Sequence, residues 1–144
     1  MRKGFTLIEL LIAMAIMVIL AAAGTSISLQ ASRRKAVETT ADKLQSLLQE
    51  ARSNAQASKV GSCNSPLLGW QVKVNSNTAV LQLVCQAATS DILTYTYPSG
   101  VTVSPTPTIL YNRMGSTNLT ADTTLSVNGV ITKQIIITTS GDVK

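Results

Sequence analysis

The 144-residue sequence contains no histidine, only two cysteines and few aromatic residues, which make up 3% of the chain. Without histidine the chain has no Ser/His or Cys/His nucleophile pair and no histidine-based zinc site. The phosphate-binding pattern Gly-x-x-x-x-Gly-Lys and the dinucleotide-binding pattern Gly-x-Gly-x-x-Gly are absent as well. A pair of carboxylates or an oxygen-ligand metal site beyond residue 60 would need Asp91, Asp122 and Asp142, which are far apart in sequence. We therefore expect neither enzymatic activity nor a bound cofactor.

Charged residues are scarce, at 13% of the chain, and they are unevenly placed. The net charge is +5, but Arg2 and Lys3 precede a long apolar run and the basic residues 33–35 follow it. Beyond residue 60, four basic residues face three acidic ones, which leaves a net charge of +1. Nucleic-acid-binding domains normally carry a basic patch, so the near-neutral half favours another kind of function. A mean hydropathy of +0.26 also excludes a disordered chain.

The apolar run extends from Phe5 to Ala23 and is nearly continuous. About 20 helical residues cross the roughly 30 Å core of a bilayer, so this run is long enough for a membrane helix. Arg2 and Lys3 favour a cytoplasmic N-terminus, which places the rest of the chain outside the cytoplasm. The alternative is a secretory signal peptide cut after Ala23, which would release an exported, soluble β protein.

Glu9 lies inside this apolar run and argues for a retained helix. A carboxylate within a membrane helix costs about 3 kcal/mol on insertion scales, and such residues usually have a function or a partner. A discarded signal peptide has no use for one. Cleavage after Gly4 would create a positive group near this depth, namely the α-amine of Phe5, four residues away.

The segment Gly4-Phe5-Thr6-Leu7-Ile8-Glu9-Leu10 resembles the class III signal of type IV pilins and type II secretion pseudopilins. The resemblance implies that a prepilin peptidase cuts after Gly4 and methylates the new N-terminus at Phe5. It also implies that Glu9 pairs with the N-terminal amine of an adjacent subunit during assembly. Residues 1–4 would then be a removed leader, and residues 5–29 a transmembrane helix that later lies in the filament core.

A second, amphipathic half of the same helix is predicted over residues 30–59. Its apolar positions recur at steps of four and three residues, which is one helical stripe: Val37, Ala41, Leu44, Leu48, Ala51 and Ala55, broadened by Leu47. The opposite side carries Glu38, Asp42, Lys43, Glu50 and Arg52. We therefore expect one helix from Phe5 to about Ser58, whose second half packs on the soluble domain.

Residues 60–144 read as a small antiparallel β domain. Trp70–Val74 and Val80–Val84 alternate apolar and polar residues around the turn residues 75–77, which predicts a hairpin. Thr94–Tyr97 and Val101–Val103 form a second, weaker pair across a Pro-Ser-Gly turn.

The last predicted strands surround Asn128-Gly129, which is typical of a two-residue hairpin turn. A long strand follows over residues 131–139, and its run Ile135–Ile137 predicts burial on both faces. The expected fold class is α+β, with a long N-terminal helix packed on an antiparallel β domain, as in pilins.

Cys63 and Cys85 are the only cysteines. In a translocated domain they are expected to form one disulfide, which would tie the end of the helix to the end of the second hairpin strand. Two free, buried thiols are the alternative. The spacing is not Cys-x-x-Cys, so redox catalysis is not expected.

Two strand-then-glycine elements, 109–115 and 135–141, resemble those of GspH/FimT-type minor pilins, which have two small sheets packed on the long helix. The residue after the second glycine is Asp142, where that family often has a basic residue. Some FimT-like proteins bind DNA through basic residues near the C-terminus, where this chain offers Lys133 and Lys144. Phosphate contacts need clustered cations, so DNA uptake is the alternative function.

The sequence therefore predicts a structural minor pilin or pseudopilin without a metal or cofactor, with a major pilin as a further alternative. Its expected partners are other pilin or pseudopilin subunits, the prepilin peptidase and the assembly platform of the inner membrane. We expect the subunit to cross the bacterial inner membrane once, with its C-terminal domain outside the cytoplasm, before it enters a pilus or pseudopilus.

Overall fold

A single long helix dominates the computed structural model, which describes residues 6–144, apart from the side chains of residues 22–27. Helix α1 covers Leu7–Gln56, and at 1.5 Å per residue its 50 residues span about 75 Å. Thr6 is its N-cap and Ala57 its C-cap, and Ser58 then turns the chain with a positive φ of 49°. The helix thus ends within two residues of the predicted position.

The second half of α1 holds the soluble domain through the predicted apolar stripe. All seven stripe residues, from Val37 to Ala55, are buried. Thr40 and Asn54 are buried beside them, and the Thr40 hydroxyl donates a hydrogen bond to the carbonyl of Ala36 at 2.8 Å. The 3.6-residue period alone therefore identified the packing face.

Seven strands follow the helix and form two antiparallel sheets. They are β1 (Leu67–Val74), β2 (Thr78–Cys85), β3 (Thr89–Thr96), β4 (Thr102–Ser104), β5 (Thr108–Tyr111), β6 (Thr123–Asn128) and β7 (Thr132–Ile137). The first sheet has the order β3-β2-β1-β5, and the second has the order β4-β6-β7. Helix α1 contacts β1, β2 and β5 of the first sheet and β6 and β7 of the second. The core therefore lies between one helix face and the inner faces of two small sheets.

The predicted hairpin of β1 and β2 is confirmed, but the predicted pairing of residues 94–97 with 101–103 is wrong. Strand β3 pairs with β2, and β4 pairs with β6 in the other sheet. The turn after Pro98, in which Val101 donates to the Pro98 carbonyl at 3.1 Å, carries the chain from one sheet to the other. Gly100 adopts a φ of +82° there, a conformation that glycine favours.

The hairpin at Asn128-Gly129 is present, but residues 129–131 make a three-residue connection, since Asn128 pairs with Thr132. Burial of β7 on both faces is also wrong: Ile135 and Ile137 are buried, whereas Ile136 is 41% exposed. The helix covers only the inner face of this sheet, so alternate residues of β7 face outward. The prediction that this strand extends to residue 139 is also wrong, because β7 ends at Ile137.

Candidate functional site

The start of α1 is built by a capping box between Thr6 and Glu9. The amide and the hydroxyl of Thr6 both donate to Glu9 Oε2 at 3.3 Å, and the Glu9 amide donates to Thr6 Oγ1 at 3.4 Å. A Thr-x-x-Glu pattern satisfies two free donors of a helix start in this way. The Glu9 carboxylate is therefore held next to the helix N-terminus in the single chain and is exposed. Gly4 and Phe5 lie outside the described residues, so cleavage and methylation there stay predictions.

The first turns of α1 expose an unusual amount of apolar surface. Eleven large apolar side chains between Leu7 and Leu20 are each more than half exposed. Contiguous apolar patches of this size mark surfaces that meet a membrane or other proteins. Because the apolar residues lie all round the helix here, no single packing face is defined.

Within the part of the chain that the structure describes, no helix is long and apolar enough to cross a membrane. Phe5, at the start of the predicted apolar run, and the side chains of residues 22–23 lie outside the described part of the structure.

At the other end of α1, the two glycines of the strand-then-glycine elements meet. Gly115 and Gly141 have φ values of +81° and +88°. A Cβ atom added to Gly141 would collide with the Gly115 carbonyl, and one added to Gly115 would collide with the Gln56 side chain at the end of the helix. The two elements therefore come together where α1 ends, over the buried ring of Tyr111.

An ion pair joins the same region to the helix. Arg52 Nη1 donates to Asp142 Oδ1 at 2.7 Å, and Ser140 Oγ donates to the other carboxylate oxygen at 2.9 Å. The hydrogen bond from Arg52, followed by that from Ser140, holds the pKa of Asp142 below its ordinary value. The sequence pattern assigned Arg52 to the side of the helix opposite the apolar stripe, but its side chain is half-buried. Only the unusual acid at position 142 hinted that a basic partner was needed.

The structure joins Cys63 and Cys85 in a disulfide with a Cα–Cα distance of 5.9 Å. It links the segment after α1 to the last residue of β2, as expected. Trp70 on the neighbouring strand donates from its indole nitrogen to the Lys59 carbonyl at 3.0 Å. The end of the helix is therefore fixed to the first sheet by a covalent bond and a hydrogen bond.

The two other acidic side chains beyond residue 60 each accept a hydrogen bond from a nearby residue. Asp91 accepts a hydrogen bond from Gln82, and Asp122 accepts one from the amide of Thr139. Among the described residues, no group of His, Cys, Asp and Glu side chains is arranged to hold a metal ion. At position 142, where a phosphate-binding site would need a cation, the carboxylate is occupied by Arg52.

A long helix with an apolar first half, packed through its second half on two small antiparallel sheets, is the architecture of pilin-like proteins. Residues 1–25 match the family profile described as the prokaryotic N-terminal methylation motif. Residues 40–141, well over half of the chain, match the profile described as type II transport protein GspH. The chain belongs to the GspH family, and it is a pseudopilin or minor pilin subunit of a type IV pilus or type II secretion assembly. No curated protein and no solved structure is significantly similar to the chain.

Proposed function

We propose that the chain is a structural subunit without catalytic activity, anchored in the inner membrane by residues 5–29 before it is assembled. The apolar surface of α1 supports this proposal, since eleven large exposed apolar side chains need a lipid or protein environment. In this scheme the helix leaves the bilayer and packs against the helices of other subunits. The domain of residues 60–144 stays outside the cytoplasm and forms the outer part of the pilus or pseudopilus.

The proposed processing site is the bond between Gly4 and Phe5. A prepilin peptidase cuts it, Phe5 is methylated, and the new N-terminus lies close to Glu9 of an adjacent subunit. The support for this role is the exposed position of the Glu9 carboxylate at the helix start, three residues from Thr6. A cationic amine from a neighbour adds an ion pair with this carboxylate, whose hydrogen bonds from Thr6 are already charge-assisted.

Intact mass and N-terminal sequencing of the protein from the membrane fraction test this proposal. We expect a chain that begins at methylated Phe5. A chain that begins at Gly24 would have lost both Glu9 and the apolar helix, and it would refute anchoring and assembly together. A chain that keeps Met1 would refute processing.

A pair of matched variants tests the role of Glu9. Glu9→Gln keeps the size of the side chain and removes its charge, so we expect normal cleavage but loss of the subunit from sheared filaments or pseudopili. Glu38→Gln makes the same change at an exposed position in the second half of the helix, and we expect normal incorporation. Equal incorporation of both variants would contradict the proposed pairing.

A further inference from the structure

An open groove lies at the end of the soluble domain that is nearest the apolar helix. One wall is the helix surface of Ser32, Arg33 and Ala36, and the other consists of the loops 98–101 and 129–130. The cavity has a volume of about 630 Å³. This lies within the range of roughly 300–1,000 Å³ that is usual for small-molecule sites. We call it the juxtamembrane groove.

The groove is cationic. Arg33 lines it, and Arg34 and Lys35 follow on the helix. No acidic side chain lines the groove, and within the described part of the chain none of the three cations takes part in an ion pair. The groove therefore has an uncompensated positive charge at one wall, which favours an anionic ligand.

The opposite wall supplies further donors. The backbone N–H groups of Ser99, Gly100 and Val130 make no hydrogen bond within residues 6–144. Ser32 and Ser99, whose side chains carry hydroxyl groups, are also among the lining residues. Free backbone N–H groups and hydroxyls next to a guanidinium are the groups that typically bind phosphate.

The depth of the groove matches the polar layer of a bilayer. Arg33 lies four residues, or about 6 Å, beyond Leu29, the last residue assigned to the membrane helix. The headgroup layer on each side of a bilayer is about 5–8 Å thick. Val130, on the rim of the groove, is 48% exposed, so an apolar side chain faces the same layer.

We propose that the juxtamembrane groove binds the headgroup phosphate of an anionic phospholipid in the leaflet that faces the soluble domain. The inference rests on the proposed membrane anchoring of the helix. Bound lipid holds the domain at a fixed height above the membrane, with the loops 98–101 and 129–130 against the headgroups, until the subunit is extracted into a filament.

Native mass spectrometry of the full-length mature chain, released from micelles, tests the proposal. The micelles contain either phosphatidylglycerol or phosphatidylcholine with the same acyl chains. A hydrogen bond between a charged donor in the groove and the lipid phosphate is worth at least about fivefold in binding, so we expect phosphatidylglycerol to be retained at least about fivefold better. Arg33→Gln should remove about fivefold of this retention, whereas Arg34→Gln, which does not line the groove, should change it less than twofold. Equal losses of lipid retention in the two variants would show diffuse attraction to the charged surface and would overturn the proposed binding in the groove.

A second pair of variants tests the cavity without changing the charge. Ser32→Phe fills the groove and should reduce retention of phosphatidylglycerol, while Ser46→Phe, at an exposed helix position outside it, should not. Loss of bound lipid on addition of inorganic phosphate would identify a free-anion site and overturn the lipid assignment. The same spectra give the mass of the chain: a start at Gly24 refutes anchoring, whereas a start at Phe5 without lipid preference refutes only the groove.

Discussion

The contact between the two motif glycines gives the most specific prediction of the structure. Gly141→Ala adds one methyl group at a residue with a φ of +88°, directly against the carbonyl of Gly115. Gly100→Ala adds the same group at a φ of +82°, but nothing lies within 4 Å of the new Cβ. The two substitutions therefore share the backbone strain and differ in the collision.

The expected magnitudes follow from these two terms. An L-residue in the left-handed region costs about 1–2 kcal/mol, which is the whole expected loss for Gly100→Ala. Overpacking against a fixed neighbour adds about 1–3 kcal/mol. For Gly141→Ala that neighbour is the backbone carbonyl of Gly115. The new Cβ would also lie 3.2 Å from the ring of the buried Tyr111, so neither group easily moves away. We expect a total loss of about 2–5 kcal/mol for Gly141→Ala.

Urea unfolding of the full chain in detergent micelles measures this difference. Trp70 is the only tryptophan, and it is buried in the domain, so its fluorescence reports unfolding. With a urea dependence of roughly 1–1.5 kcal/mol per molar for a domain of this size, the extra loss of about 1–3 kcal/mol should lower the midpoint of Gly141→Ala by about 0.7–3 M more than that of Gly100→Ala. Equal midpoints for the two variants would refute the contact between the motif glycines.

Two further predictions use the same unfolding assay, and a third uses absorbance. Reduction of Cys63–Cys85, which are 22 residues apart, should cost about 3 kcal/mol in the chain-entropy model, and a variant with alanine at both positions should not respond to reductant. The pKa of Asp142 in the folded chain lies below its ordinary value of 3.8. The stability that its ionised form contributes is therefore present above pH 3.8 and is lost as the pH falls through the folded pKa. Asp142→Asn should lose less stability than the wild type on acidification below pH 3.8, and an equal loss would contradict the pair with Arg52. Burial raises the pKa of Tyr111 to about 12, so the stability contributed by its neutral form is complete below pH 10 and declines as the pH rises towards 12. In an alkaline titration followed by absorbance, Tyr111→Phe should show fewer late-ionising phenols than the wild type.

The parts of the fold that sequence patterns predicted are those set by local periodicity. The helix stripe, the hairpin around residues 75–77 and the turn at Gly129 each follow from residues that are neighbours in sequence. The disulfide pairing had only one possible partner within the chain. In each case the local preference and the tertiary packing agree, so the pattern was sufficient.

The parts of the fold and site that the sequence patterns did not predict depend on contacts between residues that are distant in sequence. The Pro-Ser-Gly turn at residues 98–100 reads locally as a hairpin, yet it moves the chain between sheets because β2 and β6 each offer a free edge. Arg52 and Asp142 are 90 residues apart, and no periodicity relates them. The outward position of Ile136 follows from a helix that covers one face only, which a run of three isoleucines does not reveal.

The two halves of α1 show how one helix serves two environments. In the second half the apolar residues are confined to one stripe, and the sheets of the same chain cover that stripe completely. Between Leu7 and Leu20 they lie all round the helix, and the large ones are more than half exposed. Because a helix that is apolar on every side is stable only when it is surrounded, its environment comes from outside the subunit. The change between the two patterns falls between Leu29 and Val37. The basic residues 33–35 and the juxtamembrane groove therefore lie at the boundary where the surroundings change from lipid or neighbouring subunits to the chain's own domain.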